Sequence, residues 1–302
     1  MNQFLDMLMI GVSAASIYSL MAISMVLVWR STRVVNFAQA GMALLSAYVG
    51  YELVARVGNF WIALPLAMIL GAAFSAFIEF VLMRTLQKHS AQGAIAAIAP
   101  IIATLGLLGL IRAGIGFIWG HGDVQLVAPL SKVGFKIGDT TIIMNPMSLF
   151  VLLFVITLMI IVSIIFQKTN IGLALRASAY APEIAQLAGI RVSGIRTLGW
   201  AIAGAAGAAA GILQTVNGTG ALTPESLEFS LLLVFGFIAA VIGGLESLPG
   251  AVLGALILGL VLAAVQIYIS GALVFIVAFL LLLLVLIVRP QGFLGSKAGR
   301  RA

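Results

Sequence analysis

The stretch Leu149-Phe-Val-Leu-Leu-Phe-Val-Ile-Thr-Leu-Met-Ile-Ile-Val-Ser-Ile-Ile-Phe166 runs without a single charged residue. A helix rises 1.5 Å per residue, so ~20 apolar residues cross ~30 Å of hydrocarbon. This run and a similar one, Leu273 to Val288, approach that length. The rest of the chain agrees. Of 302 residues, 63% are hydrophobic and 8% charged, with a mean hydropathy of +1.22. A soluble domain carries ~25% charged residues to wet its surface. This chain cannot cover itself with charge, so its outer solvent is lipid. A membrane barrel needs short alternating segments and these runs are continuous, so the spans are helices. The expected fold class is all-α, a polytopic helical membrane protein forming one transmembrane domain over 1–302.

Working outward, nine membrane segments are predicted, at 4–29, 36–54, 60–83, 94–117, 147–166, 198–215, 230–247, 250–269 and 272–288. The second and seventh are candidates for broken or re-entrant segments. The start, Met1-Asn2-Gln3-Phe4-Leu5-Asp6, lacks the positive opening of a cleaved signal peptide. The first helix is therefore expected to stay in the membrane.

Net charge is +7, but the bases sit singly or in pairs between apolar runs. That placement is a topology signal, not a nucleic-acid footprint. Arg30, Arg33, Arg84, Lys88, Lys168, Arg176, Arg191 and Arg196 fall in one set of loops, joined by Arg289, Lys297, Arg300 and Arg301 of the tail. The opposite loops hold Arg56, Lys132 and Lys136 with Asp6, Asp123, Asp139, Glu225 and Glu228. Cytoplasmic loops are the ones enriched in Lys and Arg. The N-terminus is thus expected outside and the C-terminus in the cytoplasm. Two loops are long: an external one at 118–146, with room for a small strand pair or cap, and a cytoplasmic one at 167–197.

The chain has no cysteine, and His89 and His121 lie far apart in loops. No metal site, covalent chemistry or cofactor is expected. Nor is there a Gly-x-x-x-x-Gly-Lys-Ser/Thr phosphate loop, so any energy source lies on another chain.

Within the long cytoplasmic loop, Ala181-Pro182-Glu183-Ile184-Ala185-Gln186-Leu187-Ala188-Gly189-Ile190 predicts a helix of about two turns. Proline opens it, Glu183 meets the positive end of the helix dipole, and Gly189 stops it. So short a helix is unstable alone and must dock. Ile184, Leu187 and Ala188 supply one apolar face, and Ala185 permits close approach. Either the helix lies on the membrane surface or it seats in a partner.

Other polar and small residues mark the membrane segments. Asn36 and Gln39, three apart, are placed to share a helix face, with Ser46 and Tyr48 further along. Pro100 weakens the fourth segment, and Thr104 one turn later either bonds back to a freed carbonyl or lines a path. Arg112 either snorkels to the outer edge or meets a substrate carboxylate. Glu79 is expected to pair with Arg84 or another inner-face base. Glu246, after Gly243-Gly244, is either a solvated terminal carboxylate or a gate contact. Gly204, Gly207 and Gly211, like Gly250 and Gly254, have the spacing that lets helix backbones approach, as intramolecular packing, a dimer seam or a moving gate.

Glu183-x-Ala185-x-x-x-Gly189 resembles the coupling-helix signature of ABC importer permeases, Glu-Ala-Ala with Gly after three more residues, Ile184 replacing the first Ala. Gly172-Leu-Ala-Leu-Arg176-Ala177, Val241-Ile-Gly243-Gly244, Pro249-Gly250-Ala251, Arg289-Pro290-Gln-Gly292-Phe293-Leu294-Gly295 and Asn36-Phe37-Ala38-Gln39-Ala40-Gly41 extend the likeness in order along the chain. Together they resemble the branched-chain amino acid ABC transporter permease family. Gln39 and Ala40 depart from its usual Asn-Phe-Ala-His-Gly. The resemblance implies a non-enzymatic inner-membrane subunit importing branched-chain or other apolar amino acids. Its implied partners are two ATP-binding subunits, a related or identical second permease and a periplasmic solute-binding protein, with ATP only on the partners. It implies that Glu183, Ile184, Ala185, Leu187, Gly189 and Arg176 couple to the ATPase. Asn36, Gln39, Ser46, Tyr48, Thr104, Arg112 and Glu246 remain pathway candidates. Urea or short amides as cargo, or a stand-alone secondary transporter, are the alternatives.

Overall fold

Inside a bilayer each backbone N–H and C=O must find a partner within the protein, and the helix supplies one locally. The computed structural model describes residues 3–89, 94–137, 140–141 and 143–295. The helices are α1 (Gln3–Thr32), α2 (Gln39–Val57), α3 (Phe60–Ile78), α4 (Arg84–His89), α5 (Ala94–Trp119), α6 (Pro146–Lys168), α7 (Asn170–Tyr180), α8 (Pro182–Leu187), α9 (Val192–Asn217), α10 (Leu227–Gly243), α11 (Leu248–Tyr268) and α12 (Val274–Val288). A π turn, Glu79–Met83, joins α3 to α4.

The chain is a polytopic helical membrane protein. Among the described residues, 7 helices are long and apolar enough to cross a membrane. The second and seventh expected segments are outside that set. α10 has 17 residues, whereas α12 reaches 18 with the 3-10 turn Gly271–Leu273 that leads into it, and α2 is more polar, carrying Gln39, Glu52 and Arg56.

Local chemistry sets several helix starts. The side chains of Asn59, Asn145, Thr169 and Ser247 each accept a hydrogen bond from a backbone N–H in the first turn that follows. Pro146 and Pro249 then stand where a missing N–H costs nothing.

Helix α9 runs through the middle of the bundle against α1, α2 and α3, while α1 also packs along α11 and α10. Two ends result. At one, called here the basic end, Arg33 meets Glu246, Arg84 meets the start of α9, and Arg176 meets the end of α6. Residues 289–295 fold back onto the same end. The Phe293 and Leu294 N–H groups donate to the Ile242 and Gly243 carbonyls at 2.8 and 3.0 Å. Gly292 (φ 76°) lies against the Gly244 backbone with no room for a Cβ.

At the far end, β1 (Val124–Gln125) pairs antiparallel with β4 (Ala221–Leu222), in register Val124 to Leu222. A second antiparallel pair joins β2 (Lys136–Ile137) and β3 (Thr140–Thr141). Lys132 donates to the Gly218 carbonyl at 2.6 Å.

Two expectations change. Within 167–197 a further helix, α7, precedes the short helix expected there, and α9 begins at Val192 instead of 198. Arg191 and Arg196 suggested loop, but they flank the first turn of a helix whose Val192 is already buried. Asn36 is not on a helix face, because it precedes α2; its Oδ1 accepts from the Ala38 N–H at 3.0 Å and turns the chain into the helix. Asp139, Lys297, Arg300 and Arg301 lie outside the described residues.

Candidate functional site

Helix α8 is a single short rod held by its ends. Pro182 occupies its first turn, and Gly189 closes it with φ 84°, a left-handed conformation that a residue with a Cβ adopts at a cost. The Gly189 and Ile190 N–H groups bond back to the Gln186 and Ala185 carbonyls, both at 2.9 Å. Ala185 is 3% exposed and seats the rod on its own chain, whereas Ile184 is 68% and Leu187 90% exposed. Ala185 therefore lies on the opposite side from the outward apolar face, and Glu183, Ala188 and Gly189 are exposed around that face. Arg176 also turns inward, donating to the Phe166 carbonyl.

Just above α8, side chains from four parts of the sequence converge. Glu246 forms an ion pair with Arg33, and the Tyr180 hydroxyl lies 3.5 Å from its other oxygen. Arg33 itself caps the end of α1 with φ 57°, unusual for a residue with a side chain. Its guanidinium lies over the Tyr180 ring at 5.5 Å, and that of Arg30 lies over the Phe166 ring at 4.8 Å. The cluster ties the end of α1 and the α10–α11 turn to α7, the helix that carries α8. The helix that carries α8 is thus in direct side-chain contact with the rest of the bundle.

A second link lies beside it. Glu79 is buried, accepts from Thr197 and lies 3.7 Å from Arg84, which also donates to Thr197 at 3.0 Å. The π turn places this carboxylate against the first turns of α9.

Deeper in, Asn36 donates to Gln39 at 3.0 Å, and both are buried. The Gln39 amide nitrogen and the Tyr48 hydroxyl have no hydrogen-bond partner among the described residues. Gln39 presses on Gly207, where a Cβ would collide with its amide. The Gln39 and Tyr48 side chains are fully buried in this conformation. Ser46 bonds back to the Met42 carbonyl at 2.8 Å, and Thr104 to that of Ile101 at 2.9 Å. Arg112 reaches across from α5 to α10, donating to the Ser226 carbonyl at 3.2 Å and the Ser230 hydroxyl at 2.7 Å.

The glycines stand at backbone contacts within the chain. Gly204 faces Gly71 and Ser75 of α3, and Gly211 faces the Ala43 carbonyl of α2. Gly250 and Gly254 face the Gly243 and Ala239 carbonyls of α10.

One feature went unnoticed in the sequence. At the far end a cavity of about 320 Å³ is lined by residues that include Tyr18, Gln214, Asn217 and Glu228. Glu228 registered only as a loop charge, and nothing in a single sequence pairs it with Tyr18.

A family model described as branched-chain amino acid transport system / permease component matches residues 7–287. A probable branched-chain amino acid transport permease protein LivH of Methanocaldococcus jannaschii is 30% identical, over 93% of this chain and 90% of the relative. The high-affinity branched-chain amino acid transport system permease protein LivH of Escherichia coli K12 is 28% identical, over 97% of this chain and 96% of the relative. The corresponding BraD of Pseudomonas aeruginosa is likewise 28% identical with the same coverage. No solved structure matches significantly. With a family match running through all the long apolar helices, the chain belongs to the branched-chain amino acid transport system permease family.

Proposed function

We propose that this protein is the membrane-spanning permease subunit of an ATP-driven importer of branched-chain or similar apolar amino acids. Its cargo reading rests on the relatives, which are named as branched-chain amino acid permeases. It works with two ATP-binding subunits, a second permease, identical or related, and a solute-binding protein on the outer side. It contributes no ATP site and no cofactor of its own. The basic end faces the cytoplasm, as the positive-inside rule requires, and both α8 and the tail lie there.

The observation that carries this reading is the outward face of α8. Two large aliphatic side chains on a six-residue helix stand clear of the chain that carries them. A helix of that length does not hold itself, and Ala185 and the Gly189 closure fix it in place. A cleft in an ATP-binding subunit covers Ile184 and Leu187, and the Tyr180–Glu246–Arg33 contacts carry its motion to α1 and α10.

The test is leucine uptake into proteoliposomes holding the chain with these partners. Uphill uptake with ATP inside, and none without the ATP-binding subunits, is expected. Concentrative uptake by this chain alone would refute the reading, and transport of urea with no leucine transport would transfer it to short amides. Gly189 provides a finer probe, because nothing lies within 4 Å of a Cβ built there. Gly189→Asn, which tolerates the left-handed conformation, is expected to keep most coupled uptake. Gly189→Trp keeps the membrane fold and abolishes coupled uptake by filling the partner's side of the contact. Equal uptake by the two variants would remove α8 from the coupling interface.

A further inference from the structure

At the far end, the last turn of α9 and the first turns of α10 stop against the middle of α1 and leave the cavity of about 320 Å³. That volume falls in the range that holds a small organic ligand, ~300 Å³ and upward. Its wall divides by chemistry. Glu228, Asn217 and Gln214 form a polar side, while Leu231 and Phe235 present hydrocarbon. The Tyr18 ring meets that of Phe235 with centroids 5.1 Å apart.

The polar side is incomplete. Glu228 is partly buried in the first turn of α10, beside the positive end of the helix dipole. Yet it has no ion-pair partner among the described residues. A carboxylate removed from water gains most from a cation that brings its own hydrogen-bond donors. Asn217 is oriented by a neighbour: its Oδ1 accepts from the Ser148 hydroxyl at 3.1 Å, which leaves its NH2 as the unused donor. A carboxylate ligand, an amide donor and an apolar wall thus surround one space of amino-acid size.

We propose that this cavity is a transfer site for a zwitterionic apolar amino acid entering from the outer face. Glu228 takes the α-ammonium, Asn217 and Gln214 donate to the α-carboxylate, and the side chain lies on Leu231 and Phe235. The inference rests on the importer reading and sharpens it by naming where the cargo first leaves water. The site explains how a pore with few charges handles a doubly charged solute: it compensates both charges beside an apolar surface.

The assembled transporter tests it, with its ATP-binding subunits, second permease and binding protein in proteoliposomes, and uptake normalised to assembled complex. Glu228→Gln is expected to lower the maximal rate of leucine uptake about tenfold or more, the weight of one charged hydrogen bond. The half-saturating concentration, set on the binding protein, holds. Leu231→Phe, which leaves the polar side intact and narrows the cavity, lowers leucine uptake more than alanine uptake. A Glu228→Gln rate within twofold of the unaltered protein overturns the site, as do equal losses of leucine and alanine in Leu231→Phe. An unaltered assembly that moves no amino acid overturns the importer reading as well, which is a distinguishable result.

Discussion

Helices α9 and α12 both cross the bundle, and they are built on opposite rules. α12 is almost pure leucine, isoleucine, valine and phenylalanine, and 11% of the 18-residue stretch that holds it is buried; α9 is rich in glycine and alanine, and 78% of its most apolar 18-residue stretch is buried. In water the most apolar helix would be the core. In a bilayer lipid is as apolar as leucine, so hydrophobicity draws nothing inward. What goes inside is whatever lets backbones touch and polar groups pair. Small residues and hydroxyls therefore mark the centre, and large aliphatics mark the surface.

Mutations can break this comparison. The largest effect is expected at Gly211, where a Cβ would strike the Ala43 carbonyl and neighbouring α2 backbone. Backbone cannot swing aside like a side chain, so Gly211→Val is expected to cost ~3 kcal/mol or more. Loss of a monodisperse species in detergent would register it, and a fully folded variant would show that α2 and α9 are not closely packed.

A smaller effect belongs to the hydroxyls that sew α9 to its neighbours. Ser75 donates to the Trp200 carbonyl at 2.7 Å, as Ser24 does to that of Ala203 at 2.8 Å. Ser75→Ala is expected to cost ~1 kcal/mol, in line with hydrogen bonds between membrane helices. A lowered melting temperature with normal insertion checks it. The smallest effect falls on α12, where Leu284 is 57% exposed. Leu284→Ala is expected to stay within ~0.5 kcal/mol, and a large loss there would mean that α12 is covered by protein.

The same physics explains what could be read before the structure. Runs such as Leu149 to Phe166 announce themselves because lipid-facing helices must be apolar along their length. The short helix at Pro182 was legible too, since proline and glycine have local conformational meanings. Less legible was α7. Its eleven residues are amphipathic and too short to span, so they resembled a loop between bases. The start of α9 was hidden by Arg191 and Arg196, charges that suit a helix at the membrane edge as well as they suit a loop. Polar partnerships across the bundle left no local trace. Glu246 with Arg33 spans 213 positions, and the wall shared by Tyr18 and Glu228 spans a similar reach. Such pairs are set by how helices pack, which one sequence without its three-dimensional fold does not spell out.

The turnback of residues 289–295 has a consequence for biosynthesis. The carbonyls it caps, at Ile242 and Gly243, belong to a helix that leaves the ribosome well before their donors exist. Until α11 and α12 have been threaded, α10 waits with its lower rim unfinished. Closure of that rim is therefore a late checkpoint in assembly, reached only once the helices that follow are in place.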